Sequence, residues 1–441
     1  MPLLLGVRGY GRQFSKAREW YRISRKCSYG FRFPLGRFRL MVCSVLLLST
    51  APALAELPSS LEIPFRCEDA LLVPPERMQR MFVEAEQGDV ESRCILGVSY
   101  YVGKFGKPNY QEAIRWLSSA ANQGSSLAQV YLGYFYEFGL GVEQDDRQAV
   151  RWFQAAASSG YPVGQNNLGN MYLEGRGGLK QSSAEALKLF RAAAAHGSSG
   201  AKFNVGAMYL KGIGVPKNYK TAFSYFQLSA IQGETLAQAH LGFMYLMGYG
   251  TPRDYKAASH WLQIAANKGL PEAQFNLGTV YRDGLGVPKD QGEALKWFCA
   301  AATRGLAAAQ NEVGQNLAGA SPQGRDYATA AKWYRHAANQ GFPPAEMNLG
   351  ILYANGLGLP IDHVQGFIWF SKAKAAGLKQ AAKALTEIKS IMTPRQLDTA
   401  EAILSTSDRP AGVTKPQVTS RDGTMSCPAE QATRLEIPQP H

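Results

Sequence analysis

Residues 128–160 read AQVYLGYFYEFGLGVEQDDRQAVRWFQAAASSG, and the spacing inside this stretch decides the fold. Ala128, Leu132, Gly133 and Tyr136 recur at helical spacing and place small and large apolar groups on one face. Gly139 and Gly141 end that helix, because glycine reaches the left-handed conformation that a tight C-terminal turn needs. Asp145 and Asp146 open a second helix, where carboxylates meet the positive end of the helix dipole. Ala149, Trp152, Phe153, Ala156 and Ala157 then build one apolar face, and Gly160 closes the helix before Pro162. Two short antiparallel helices cannot bury both faces alone. The unit needs neighbours of its own kind.

The sequence supplies them. A Leu-Gly or Val-Gly dipeptide recurs with its glycine at Gly97, Gly133, Gly169, Gly206, Gly242, Gly278, Gly314 and Gly350, at intervals of 36 residues with a single 37. Three residues later stands a tyrosine in every unit except the seventh, which has Leu317. Six of the seven tryptophans fill a column in the second half of the unit: Trp116, Trp152, Trp261, Trp297, Trp333 and Trp369. The Trp and Tyr columns read as core, with the mid-helix glycines as points of close helix approach. The extra residue of repeat three falls between Gly175 and Ala186, so it lengthens a loop and leaves the helices in phase. Repeat one is irregular at Phe105, and repeat seven at Leu317, Ala320 and Ser321-Pro322.

The pattern A-x₃-L-G-x₂-Y-x₂-G-x-G followed by A-x₂-W-[FY]-x₂-A-A-x₂-G, nearly complete in residues 128–160, 237–269 and 273–305, resembles the Sel-1-like repeat, a relative of the tetratricopeptide repeats. The resemblance implies an all-α fold, a right-handed α/α solenoid of eight helix-turn-helix repeats over residues 91–381. Residues 56–90 are expected to hold an N-terminal segment and capping helix. Residues 382–404 read as a capping helical hairpin broken at Pro394. Residues 405–441, with five prolines and little apolar material, read as a disordered tail.

The formal net charge of +13 does not indicate a nucleic-acid binder. Ten Lys/Arg and one acid, Glu19, lie in residues 1–55, so the charge sits in a leader and not on the repeats. Arg32, Arg37 and Arg39 flank a short apolar run at 40–50, and Ala53-Leu54-Ala55 offers a cleavage site before Glu56. The run is short for a membrane span, so the expectation is an exported chain, periplasmic or secreted, with no transmembrane segment once the leader is removed. Oxidising export permits a disulfide, and of the four cysteines that remain once the leader is removed (Cys67, Cys94, Cys299 and Cys427) the nearest pair in sequence is Cys67–Cys94.

No residue pattern marks catalysis. The six histidines stand apart, with no H-E-x-x-H arrangement, and Gly175-Arg176-Gly177-Gly178 lacks the Lys-Ser or Lys-Thr of a phosphate loop. Neither a cofactor nor a metal is expected. Attention falls instead on the first helix of each repeat, which lines the concave surface in tetratricopeptide-type arrays. Two residues before the glycine stand Asn167, Asn204, Asn276 and Asn348, with Tyr131, His240 and Glu312 elsewhere in the column. Tyr134, Phe138, Asn170 and Phe243 share that face. These side chains are candidates to hold an extended peptide, or alternatively a polysaccharide or peptidoglycan, through amide hydrogen bonds and aromatic stacking. The competing reading is that Asn belongs to the repeat's own packing and bonds the adjacent turn. The resemblance implies a protein-interaction scaffold of the bacterial envelope. Some secreted relatives are linked to penicillin binding or hydrolysis, but they carry a cysteine pair in each repeat, and this chain does not.

Overall fold

A computed structural model describes residues 73–319, 324–407 and Cys427. The expected leader (1–55) and most of the segment 56–90 before the first repeat lie outside these residues. The described residues form 19 α-helices and no strand. They divide into two compact units at Trp261/Leu262.

The first unit opens with α1 (Pro75–Glu86) and continues with helix pairs, one pair per repeat: α2 (Val90–Val102) with α3 (Tyr110–Asn122), α4 (Ser126–Phe138) with α5 (Asp146–Ser158), α6 (Pro162–Glu174) with α7 (Ser183–Ala195), and α8 (Ser199–Lys211) with α9 (Tyr219–Ile231). It ends with α10 (Thr235–Met247) and the start of α11 (Tyr255–Asn267). The second unit takes the rest of α11, then α12 (Pro271–Asp283) with α13 (Gln291–Thr303), α14 (Ala307–Gly319) with α15 (Tyr327–Asn339), and α16 (Pro343–Asn355) with α17 (His363–Ala375). Two further helices, α18 (Lys379–Lys389) and α19 (Pro394–Ser407), pack against α17 and close the array, with Pro394 at the first position of α19. Each consecutive pair packs as an α/α solenoid repeat.

Local chemistry explains the helix ends. Gly139 takes φ 66° and caps α4, a conformation that costs a side chain dearly and glycine almost nothing. Asp145 caps α5 by accepting from the backbone N–H groups of Arg147 and Gln148. The mid-helix glycines are explained by a ring. A Cβ on Gly133 would stand 2.3 Å from Cε1 of Phe153, and Gly169, Gly206, Gly278, Gly314 and Gly350 hold Phe190, Phe226, Phe298, Tyr334 and Phe370 in the same way. So the propensity that glycine gives up inside a helix, roughly 1 kcal/mol, is returned as ring-on-backbone packing.

This packing corrects the expectation about the core. The column after the tryptophan is the buried one: Phe153, Phe190 and Phe226 are fully buried. Trp152, Trp261, Trp297 and Trp369 are only half-buried, and the Tyr column is half-buried throughout.

The cysteines also differ from expectation. Cys94 is buried on α2 without a disulfide, its thiol pushed up to about 11 by desolvation. Its expected partner Cys67 lies outside the described residues. The disulfide that forms joins Cys299 to Cys427. Most of the tail lies outside the described residues, but at Cys427 the expectation of disorder is corrected, since this residue is 1 % exposed. Residues 405–407 continue α19.

Candidate functional site

Each asparagine of the first-helix column carries a donor and an acceptor on a short stem, so it must either face water or find partners. Here Asn167, Asn204 and Asn348 find partners in neighbouring repeats, whereas Asn276 is buried with neither amide atom hydrogen-bonded. Asn167 donates through Nδ2 to the hydroxyl of Tyr134, 2.7 Å away in the preceding repeat. Asn204 donates to Oδ1 of Asn166 at 2.9 Å and to Oδ1 of Asn170 at 3.3 Å. Asn348 donates to Oδ1 of Asn311 at 3.0 Å. The expectation that Asn204, Asn276 and Asn348 project onto an open surface is therefore corrected: all are buried, with Asn276 and Asn348 fully so. The physical reason is that successive first helices lie close enough for one repeat's amide to reach the next repeat's polar group.

The other members of the column behave alike. His240 is buried between Phe203 and Phe226, with ring centroids 5.4 and 5.0 Å away. Its Nδ1 donates to the Leu236 carbonyl at 2.9 Å, and desolvation holds the imidazole down at about 4, so the ring is neutral. Glu312 replaces Asn in repeat seven and accepts from Arg282 at 3.1 Å, while burial pushes its carboxyl up to about 7. Tyr131 is buried at an edge-on contact with Tyr101, and Phe243 is buried beside Tyr249. Tyr134 is buried and lies parallel to Phe138 at 6.4 Å.

Two of the candidate residues retain open surface. Phe138 is 38 % exposed at the C-terminal end of α4, and Asn170 is half-buried on α6. The residue equivalent to Phe138 is Glu174 on α6, Lys211 on α8 and Met247 on α10, each exposed or half-buried. In the first unit, the bonds from Asn167 and Asn204 set α4, α6 and α8 side by side, so these chain ends follow one another as a row. Its chemistry runs apolar, acidic, basic, and apolar again at Met247. Desolvation lowers the Lys211 ammonium below the ordinary lysine range.

Sequence reading missed a second polar column, four residues before the glycine. Gln129, Gln238, Gln274 and Gln310 donate through Nε2 to the carbonyls of Ala121, Ala230, Ala266 and Ala302, each eight residues back. These carbonyls lie in the last turn of the preceding second helix, where each also accepts the backbone N–H of the closing glycine (Gly124, Gly233, Gly269 or Gly305), so each glutamine adds a second bond that ties one repeat onto the next. Arg93 does the same for Ala85 at 2.7 Å. The recurring Ala-Gln dipeptide was the available signal. Repeat eight breaks the column with Glu346, 5 % exposed, whose carboxyl burial pushes up to about 7 against the pull of Lys372.

The glycine-rich loop after α6 is also structural. Arg176 pairs with Asp146 at 2.6 Å, Glu137 at 2.7 Å and Glu174 at 3.2 Å, tying repeat three to repeat two. The adjoining cleft of about 360 Å³ is lined by Gln144, Asp145, Asp146, Arg147, Gly177 and Gly178. Asp145 is engaged as a helix cap and Asp146 by Arg176, and both repel a phosphate. Among the described residues, no group of three His, Cys, Asp or Glu side chains is placed to hold a metal, and no helix is long and apolar enough to cross a membrane.

The Sel1 repeat family profile matches residues 3–28, 90–125, 126–161, 162–198, 199–234, 235–270, 271–306, 307–342 and 343–378. The first of these matches lies outside the described residues. A Sel1 repeat protein from Oxalobacter formigenes is 31% identical, with a TM-score of 0.51, over 73% of this chain and 93% of its own. The protective antigen c5321 of uropathogenic Escherichia coli, which displays an SLR fold, is 26% identical with a TM-score of 0.37, over 75% of this chain and 94% of its own. A comparison with curated proteins finds no match.

Proposed function

Because the chain belongs to the Sel1 repeat family, we propose that it is a non-enzymatic scaffold that holds a protein partner, or a peptide segment of one, across the first helices of its repeats. The observation that carries this reading is the row Phe138, Glu174, Lys211 and Met247. The asparagine and glutamine columns beneath it are committed to joining repeats, whereas the row changes chemistry from repeat to repeat and stays accessible. A surface of that kind reads side chains along an extended segment: an aromatic or aliphatic anchor at each end, a donor that shares the Glu174 carboxylate with Arg176, and an anion for Lys211.

A leader over residues 1–55, cleaved near Ala55/Glu56, delivers the chain to a bacterial envelope or beyond, and a disulfide between Cys299 and Cys427 suits an oxidising compartment of that kind. Sequencing the N-terminus of the protein in the envelope fraction tests the setting; a cytosolic chain beginning at Met1 contradicts it.

For the binding reading, photo-crosslinkers placed at Phe138 and Lys211, and at the exposed Leu228 on α9 as a comparison, are activated in intact cells. One discrete adduct shared by positions 138 and 211, and weakened by Glu174→Lys, is expected. Adducts formed only at position 228 would move the binding surface to the second helices and overturn the assignment.

A further inference from the structure

The second helices present a column two residues after the tryptophan that faces solvent. Gln154, Arg191, Gln227, Gln263 and Arg335 are polar there, and each is exposed or half-buried. Cys299 occupies this column on α13, yet it is only 5 % exposed. The repeat itself does not bury this position elsewhere, so something else covers it here.

Trp333 on α15 makes the same point independently. Trp152, Trp261, Trp297 and Trp369 are half-buried, whereas Trp333 is 1 % exposed. The other buried member of the column, Trp116, is covered from outside the repeat, by Met78 and Phe82 of α1. Trp333 shares its buried cluster with Cys299, Phe298 and Cys427. Cys427 lies 128 residues beyond Cys299 in the chain, and it is bonded to it.

We propose that the outer face of α13 and α15, centred on Cys299 and Trp333, is a docking site for the chain's own C-terminal segment around Cys427, clamped by the disulfide. The face is closed in the oxidised protein and opens on reduction. The segment fits: Met425 and Pro428 give it apolar groups on either side of Cys427. Twenty residues from Ser407 to Cys427 reach up to roughly 66–72 Å when extended, ample to return from α19. The bond forms by exchange. A disulfide-bearing oxidant accepts the Cys427 thiolate, and the Cys299 thiolate then displaces it; the two thiol protons and the two electrons leave with the oxidant as its dithiol.

Trypsin makes the pairing readable in the full-length protein. Cleavage after Lys296 and Arg304 isolates residues 297–304, and cleavage after Arg421 and Arg434 isolates residues 422–434. Free thiols are alkylated first, and the monomer band of a non-reducing gel is digested. The expected product is one species joining 297–304 to 422–434, lost on reduction. Alkylated Cys299 and Cys427, pairing of Cys427 with Cys67, or a linked species found only in a dimer band would each overturn the proposal.

A second measurement reads the covering itself. Reduction of the wild type, and Cys427→Ser without reduction, should both shift tryptophan emission to the red as Trp333 meets water, with far-UV helicity retained. Trp333→Phe should lose that shift. Emission that does not move on reduction, or moves equally in Trp333→Phe, means that the segment does not cover this face.

Discussion

Glu346 shows what one residue does when it breaks a repeating bond. In four other repeats a glutamine at this position donates to a carbonyl eight residues back, and for Glu346 the equivalent carbonyl belongs to Ala338. An ionised carboxylate offers only acceptors, so it faces that carbonyl with the wrong polarity. Burial raises the Glu346 carboxyl from its usual 4.5 to about 7, and Lys372 offsets only part of this. A raised folded-state value means that the contribution to stability is fully present below pH 4.5 and is lost as pH rises toward 7, by roughly 3 kcal/mol in all. Glu346→Gln restores the donor. Its urea midpoint should match the wild type near pH 4.5 and exceed it clearly at pH 8; an equal gain at both pH values would mean that ionisation plays no part.

The buried asparagines make a prediction at the same scale. Removing Asn204 leaves Asn166 and Asn170 without their donor, and removing Asn348 does the same to Asn311. Each orphaned buried group costs on the order of 1–3 kcal/mol. The double Asn204→Ala, Asn348→Ala variant should therefore melt well below the wild type in calorimetry. A variant that keeps the wild-type melting temperature would return these side chains to the surface.

At the scale of the helix, the sequence revealed the period, the helix pairs, the capping residues and the register. Those features rest on signals that survive without tertiary context: glycine at a turn, aspartate at a helix start, apolar groups at helical spacing. The same sequence could not rank Trp297 against Phe298, because neighbouring positions on a helix differ by only about 100° and both rings are apolar. What decides is the glycine on the facing helix, since a Cβ on Gly278 would stand 2.7 Å from Cε1 of Phe298. The glycine was legible, but its partner was not. Nor could an asparagine column announce whether its amides face water or the next repeat, since the residue type suits both. The Cys299–Cys427 pairing was invisible for a different reason, as 128 residues of separation leave no local trace. The packing yields a ranking: Phe298→Ala should cost about 3–5 kcal/mol, and the half-buried Trp297→Ala clearly less. Denaturant midpoints for the two variants test this order, and the reverse order would restore the tryptophan column as the core.

For the whole molecule, stability is assembled from repeats that contact their neighbours, so damage should stay near where it is made. Phe153 is fully buried, packs edge-on against Tyr134 at 5.6 Å and fills the space above Gly133. Its cluster takes in Val130, Ala149, Ala156, Val163, Leu168 and Met171, which belong to α4, α5 and α6. It holds no residue of the second unit. Phe153→Ala removes the ring but not the glycine opposite, so a cavity remains and the local helices lose several kcal/mol of mutual support. Opening should therefore become easier across α4 to α6, and more weakly in α3 and α7, which share contacts with them. Helices α13 to α17 have clusters of their own and should exchange as in the wild type. Hydrogen exchange resolved by peptide mass measures both regions in one sample. Uniform loss of protection over all the helices would show that the chain unfolds as one cooperative body and not repeat by repeat.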